Sequence, residues 1–378
     1  MGLVNMPSIV FESAKKQALA VRNRTINASD LLEAHFKQID KYNPKINAVI
    51  WQDREAAKEL AWQIDKETSV GKFRGPLHGV PVTVKESFNL SGAPTTWGDP
   101  CNIDNIATTD SDAVARFRSA GAIVFGKTNV PLNLVEWQTF NEIYGTTSNP
   151  WDQTRTPGGA SGGSAAALAT GMSALEVGSD AGSSIRNPAH YCGAFGMKPT
   201  FKVVSSQGQS IKETYSESDI SVAGPLARTA EDLKLAFETI EGLRGLEATA
   251  FKNHLPTDNR TKLSQFRIGL KLDDPESPVD NDYLNKLDEF VQKLENAGAK
   301  IIRNKIPEFD NGLHFMIYLK LVGASDSAHF TKEEIKTLID GVKKFNNDRV
   351  SRVCGTRFEG LSLLHRDWIN LNTQRNRH

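Results

Sequence analysis

The residue types best suited to chemistry lie together in one glycine- and serine-rich stretch, Thr156 to Thr200, which reads TPGGASGGSAAALATGMSALEVGSDAGSSIRNPAHYCGAFGMKPT. Two Gly/Ser clusters in it each run into a helix-like segment. Glycine permits tight turns and lets amide N–H groups converge on one point. Such a nest at the start of a helix attracts negative charge, either a phosphate or the oxyanion of an acyl-transfer intermediate. A phosphate-binding P-loop requires GxxxxGK[ST], and neither cluster places a lysine after its last glycine, so nucleotide binding is weakly supported. Gly159-Ala160-Ser161-Gly162-Gly163 formally matches the nucleophile elbow GxSxG, but that turn must follow a strand. Here it follows Asp152-Gln153-Thr154-Arg155-Thr156-Pro157, a loop by composition, and the eight histidines offer no Ser-Asp-His order. For either cluster alone, a plain flexible loop is the competing reading.

Longer motifs carry more. The stretch GGxSGGSAAALA, then GSDxGxSIRNPA and CGxFGxKPT, resembles the amidase-signature family. HGVPVTVKESFNLSGAPTTWG (His78 to Gly98) resembles the family's strand bearing its catalytic lysine, and VAGPLARTAEDL (Val222 to Leu233) matches downstream. The likeness runs in order from about residue 25 to about residue 375. It implies a Ser-cisSer-Lys triad without histidine, metal or cofactor. The family's nucleophile falls on Ser184 and its lysine on Lys85. Its bridging cis-serine falls twenty-four positions before the nucleophile (184 − 160 = 24), where this chain has Ala160. The amides of Ala181, Gly182 and Ser183, with that of Ser184, are expected to face the oxyanion.

The chemistry of such a triad follows from elementary considerations. A hydroxyl is a poor nucleophile at neutral pH and needs a base. Lysine serves only when uncharged, and burial lowers its pKa because an ammonium loses hydration. A bridging hydroxyl accepts one proton and donates another, so it passes a proton from Ser184 to Lys85 and back toward the leaving amine. Alanine cannot do this. With Ala160 the relay needs a water in the vacated space or Ser161 turned inward. Loss of one acid–base element commonly costs about 10²–10⁴-fold in rate. An engineered substitution, natural decay and a compensated variant are all compatible with that alanine.

The expected activity is therefore that of an amidase, hydrolysing a carboxamide or an ester through an acyl-serine on a small-molecule substrate, with reduced turnover in this chain. The alternatives are a non-catalytic ligand-binding amidase homologue and a subunit of an amidotransferase that acts on misacylated tRNA. Asp180 and Arg186 read as braces for the nucleophile loop, Cys192 as a buried structural thiol, and His190 as a packed or capping residue. Glu136 to Tyr144, with Trp137, Phe140 and Tyr144, reads either as a lining of the acyl pocket or as core.

These residues must be positioned by an alternation of strands and helices. Ser8 reads as the cap of a helix to about Asn23, and Ser29 as the cap of one ending at Pro44, with Leu32, Phe36 and Ile39 on one face. A helix from about Asp53 to Lys66 follows the apolar run Ala48 to Trp51. Val80 to Val84 reads as a strand, Asp110 to Phe117 as a helix closed by Gly121, and Ile123 to Phe125 as a buried strand. Ser164 to Thr170 reads as a small-residue helix ended by Gly171, and Leu175 to Val177 as a strand. Phe266–Leu270 and Lys300–Arg303 read as strands flanking a helix marked by Leu284, Leu287, Val291 and Leu294. Leu361 to Arg377 reads as a helix without a stop signal. The pattern argues for an α/β fold. The resemblance makes it an amidase-signature fold, three layers α/β/α around a central mixed β-sheet with a helical N-terminus. It is expected as one domain over 1–378, with N-terminal helices in 1–70, a catalytic core in 71–245 and an incomplete C-terminal α/β part in 260–378. The polar stretch 252–260 is the best linker candidate.

Composition narrows the function. Lysine plus arginine (45) equals aspartate plus glutamate (45), so no net field argues for nucleic acid or an anionic membrane. Three scattered cysteines, Cys101, Cys192 and Cys354, form no disulfide framework, and no basic, apolar leader opens the chain. No apolar run is long enough for a membrane span. A cytoplasmic location is expected, and homodimerisation is left open.

Overall fold

The computed structural model describes residues 9–211, 218–275, 277–303, 310–342 and 349–377. The chain divides into two compact units, Met1–Asn253 and His254–His378, and the junction falls inside the polar stretch 252–260.

In the first unit, helix α1 (Ala14–Arg22) begins where Ser13 Oγ accepts from the amide of Lys16. Ser8, read as a cap, lies outside the described residues. Helix α2 (Ala28–Ile46) buries Leu31, Leu32, Phe36 and Ile39 on one face. Asn27 stands at its N-terminus in place of the expected Ser29, whose hydroxyl instead donates to Asp65 at 2.6 Å. The helix also runs through Pro44. Proline there removes one intrahelical N–H donor, and the helix stops at Asn47, whose left-handed backbone returns its N–H to the Asn43 carbonyl at 2.7 Å. Strand β1 (Val49–Gln52) leads to helix α3 (Arg54–Ser69), capped by Asp53.

Strands β2 (Pro81–Lys85) and β3 (Ile123–Thr128) pair in parallel, and β1 pairs antiparallel with β3. Helix α4 (Asp112–Ser119) connects β2 to β3, with Ser111 rather than Asp110 accepting at its N-terminus. The Asp110 carboxylate accepts from the Ser91 amide instead. A two-residue ladder, β4 (Phe140–Asn141) with β5 (Gly145–Thr146), precedes helix α5 (Gly162–Ala169). Strand β6 (Leu175–Asp180) is followed by helix α6 (Arg186–Cys192) and strand β7 (Phe195–Gly196). Strand β8 (Val222–Ala227) pairs antiparallel with both β6 and β7, and helices α7 (Ala230–Ile240) and α8 (Gly245–Ala250) follow.

The edge of β2 meets the start of β6, where the Ala174 amide donates to the Pro81 carbonyl at 3.2 Å and the Thr83 amide to Ser173 Oγ at 2.9 Å. Parallel and antiparallel pairs thus adjoin, as expected of a mixed sheet. Strand periodicity then sorts the core onto two faces. Ile123 and Phe125 of β3 pack with Phe36 of α2, Ile64 of α3 and Leu168 of α5, while Val124 packs with Phe117 of α4 and Ile240 of α7. Helices cover both faces, the α/β/α layering expected.

The second unit opens with β9 (Arg267–Leu270) and β10 (Lys300–Arg303), parallel and in register, joined by α9 (Asn281–Asn296). Helices α10 (Asn311–Asp326), α11 (Lys332–Val342), α12 (Arg349–Gly360) and α13 (His365–Arg377) follow. Gly323 and Gly360 let α10 and α12 touch by backbone, since a Cβ on Gly323 would lie 1.9 Å from the Arg357 carbonyl oxygen. The last helix begins at His365 rather than at Leu361, which directly follows the end of α12. No described helix is long and apolar enough to cross a membrane.

Candidate active site

Lys85 ends β2, wholly buried, with its Nζ 2.9 Å from the Ser179 hydroxyl. Burial lowers its amine to about 7 because desolvation penalises the ammonium, against the opposing pull of the Asp180 and Glu86 charges. A hydroxyl partner matters here, because it can donate to a neutral amine or accept from a charged one. Ser179 stands inside the GSD motif, yet nothing in the sequence alone ties it to Lys85. The two are 94 residues apart.

Ser179 is also the last residue but one of β6, and the nucleophile candidate follows directly. After Asp180 the chain turns through Ala181 to Ile185 into α6. Asp180 organises that turn from inside: its carboxylate accepts from the amides of Ser183 (2.8 Å), Ile185 (3.1 Å) and Arg186 (3.3 Å) and from the Arg186 guanidinium (2.9 and 3.0 Å). Burial alone would raise this carboxyl, but the Arg186 bonds and charge, with the amides, outweigh it and hold it below the ordinary carboxylate range. Asp180 and Arg186 therefore brace the loop, as expected.

The same geometry corrects the oxyanion set. The single N–H of Ser183 is committed to Asp180, so this amide is not available to a substrate. The residue also takes a left-handed backbone, φ 77°. The amides of Gly182 and Ser184 have no hydrogen-bond partner among the described residues. Ser184 itself is partly exposed, and among the described residues no hydrogen bond joins it to Lys85.

The segment bearing residue 160 lies against this turn, the Ser161 amide donating to the Ser184 carbonyl at 3.0 Å. Ala160, after a cis peptide bond with Gly159, is fully buried. The Ser161 oxygen has no hydrogen-bond partner among the described residues and stands where a Cβ on Gly178, the neighbour of Ser179, would be 2.7 Å away.

Beneath these residues is a buried polar layer that sequence reasoning missed. Glu176 of β6 accepts from the Thr83 hydroxyl of β2 and the Thr128 hydroxyl of β3 (3.4 Å), and Thr128 is 2.8 Å from Ser164 Oγ of α5. Burial pushes the Glu176 carboxyl up to about 8. The available signal was a threonine and a glutamate inside the apolar strands PVTVK and LEVGSD, each demanding a buried partner. A second buried lysine, Lys127 of β3, donates to the Pro94 carbonyl and, at 2.9 Å, to Thr95 Oγ1. Cys192 is buried, its Sγ 3.5 Å from the Pro157 carbonyl oxygen, consistent with a structural thiol. His190, read as packed or capping, is exposed on the last turn of α6, its ring 5.6 Å from that of Tyr191. Trp137 and Phe140, 56% and 52% exposed, are not core.

Comparison with known proteins gives the family to which this arrangement belongs. The Amidase family model matches residues 30–368. The chain belongs to this family, whose members carry the amidase signature. It is 32% identical over 370 residues to a glutamyl-tRNA(Gln) amidotransferase subunit from Carboxydothermus hydrogenoformans, covering 97% of this chain and 74% of that one. It is 33% identical over 312 residues to the subunit of the same name from Streptomyces coelicolor, covering 82% of this chain and 62% of that one. A solved fatty acid amide hydrolase superposes with a TM-score of 0.84 at 25% identity, over 99% of this chain and 66% of the other. The chain thus spans from under two thirds to about three quarters of these relatives.

Proposed function

We propose that this chain is an amidase hydrolysing a carboxamide, or an ester, through an acyl-serine on Ser184. The observation that carries the reading is a fully buried lysine, Lys85, whose amine burial holds near neutrality, bonded to a hydroxyl at the strand end five residues before Ser184. In the first step the Ser184 oxygen bonds to the substrate carbonyl carbon and its proton passes to the Lys85 amine. The amides of Gly182 and Ser184 receive the oxyanion. Collapse breaks the C–N bond, and the Lys85 ammonium returns the proton to the departing amine. Water then takes the place of the amine and bonds to the acyl carbon as the same lysine removes its proton; the bond from that carbon to the Ser184 oxygen breaks, the lysine returns the proton to that oxygen, and the acid is released.

Ala160 leaves a methyl at the position that would carry the proton between Ser184 and Lys85. A water there, or direct transfer, is slower, so this chain turns over poorly. The test is Ala160→Ser with a serine-reactive fluorophosphonate. Labelling mapped to Ser184 by mass spectrometry, with amide or ester hydrolysis rising together, is the expected outcome. A restored serine that gives neither labelling nor hydrolysis of any simple amide or ester contradicts the reading.

The names of the curated relatives favour a second reading, one component of an amidotransferase. Such a chain would copurify with partner subunits and release ammonia from an amide only in their company. Hydrolysis by the isolated Ala160→Ser chain decides against it.

A further inference from the structure

One peptide unit in the nucleophile turn is held at both ends. The N–H between Gly182 and Ser183 donates to Asp180 Oδ1 at 2.8 Å, and the carbonyl of the same unit accepts from the Trp137 indole Nε1 at 3.0 Å. A peptide unit is planar, so anchoring its oxygen and its N–H fixes the plane's orientation. The flanking N–H groups, those of Gly182 and Ser184, are left for a ligand. Without the indole the unit could rotate and carry both amides out of position, since Ser183 already occupies a left-handed backbone that a non-glycine residue favours little.

The backbone of Trp137 is held as well. Its carbonyl accepts from Thr156 Oγ1 at 3.0 Å. Next to it, the Glu136 carbonyl oxygen sits where a Cβ on Gly159 would be 2.4 Å away, so glycine at 159 permits the two backbones to touch. Residues 136–137 therefore rest on the segment bearing residue 160, while the indole reaches across to the segment bearing residue 184. One residue couples the two.

We propose that Trp137 is a positioning residue for the oxyanion site: its indole N–H, acting through the Gly182 carbonyl, sets the direction of the Gly182 and Ser184 amides. This rests on the amidase reading above. An exposed indole could equally be a mere wall for substrate, and the two roles separate experimentally. A wall acts on binding of the neutral substrate. An N–H that aims oxyanion donors acts only when the oxygen carries charge.

The experiment uses the whole chain with Ala160→Ser as parent, and compares it with Trp137→Phe and with Trp137 replaced by benzothienylalanine, an isosteric ring that lacks the N–H. Both variants are expected to slow fluorophosphonate labelling of Ser184, and to weaken inhibition by a trifluoromethyl ketone, by roughly tenfold, less than loss of a direct oxyanion donor. KM for the best ester is expected to stay within about twofold. Labelling and ketone inhibition unchanged in the benzothienylalanine variant would overturn the proposal while leaving the amidase reading intact. A shift in KM alone would overturn it too, in favour of the wall. A parent that does not label at Ser184 would remove the amidase reading and this inference with it.

Discussion

Lys85 and Lys127 stand on neighbouring parallel strands, both buried, yet their surroundings differ in kind. The register pairs Lys85 with Thr128 and Lys127 with Val84, so the two amines leave the sheet on opposite faces. Lys127 is lowered to about 8 by burial, against the charge of Glu86, and its amine donates to a backbone carbonyl and a threonine hydroxyl. A carbonyl only accepts, so one of the two Lys127 partners takes an N–H whether the amine is charged or neutral. Lys85 is lowered to about 7, and its hydrogen-bond partner is a hydroxyl that can take either role. Desolvation alone makes a lysine less basic. A reversible proton carrier also needs a partner indifferent to its charge and a nucleophile within reach.

That contrast can be broken first by activity. In the Ala160→Ser chain, Lys85→Met is expected to lower kcat/KM by about 10²–10⁴-fold, while Lys127→Met lowers it less than about tenfold. Equal losses from both would erase the distinction. Stability should then separate Lys85 from an ordinary packed residue. Between pH 7 and 10.5 the unfolded chain binds a proton at Lys85 that the folded chain does not, so stability rises with pH across that window and is lowest at and below pH 7. Lys85→Met should remove that slope and stabilise the fold at pH 7 by on the order of a few kcal/mol in urea titrations. Such a gain would mark a group that lowers stability in the service of chemistry.

Glu176 of β6, bonded to Thr83 and Thr128 of those two strands, supplies the opposite sign. Its folded carboxyl holds a proton up to about 8 while the unfolded one releases it near 4.5. Its contribution is therefore full below pH 4.5 and lost as pH rises through 8. Glu176→Gln should flatten that fall, seen as urea midpoints at about pH 5 and about pH 8 drawing together. The smallest effect concerns Ser179. Ser179→Ala should shift the alkaline rise of kcat/KM by a fraction of a pH unit and lower its plateau by roughly tenfold, as for the loss of one hydrogen bond to a reacting group. An unchanged pH profile would show that the hydroxyl does not tune Lys85.

Much of this is legible in the sequence. The strand carrying Lys85, the turn carrying Ser184 and the alternation of helices and strands all leave local signatures, and Asp180 beside Arg186 reads as a brace. What escapes has a common physical origin. Thr83 and Glu176 meet across 93 residues, Lys85 and Ser179 across 94, and no local pattern says which buried polar group pairs with which. The Ser183 amide reads as an oxyanion donor because it sits in the motif, while the carboxylate that claims it is three residues back and recognisable only in three dimensions. Helix boundaries fail on equally small margins. Ser111 and Asp110 are both good caps, and the helix runs two residues past Pro44 before it ends.

The account stands on Lys85 being uncharged near neutral pH inside the folded chain. A carbon-13 NMR titration of the lysine ε-carbons, with Lys85 and Lys127 assigned by their methionine variants, reads this directly. The expected midpoints are about 7 for Lys85 and about 8 for Lys127. A Lys85 signal that stays in its ammonium position up to roughly pH 10, where an exposed lysine titrates, would contradict it.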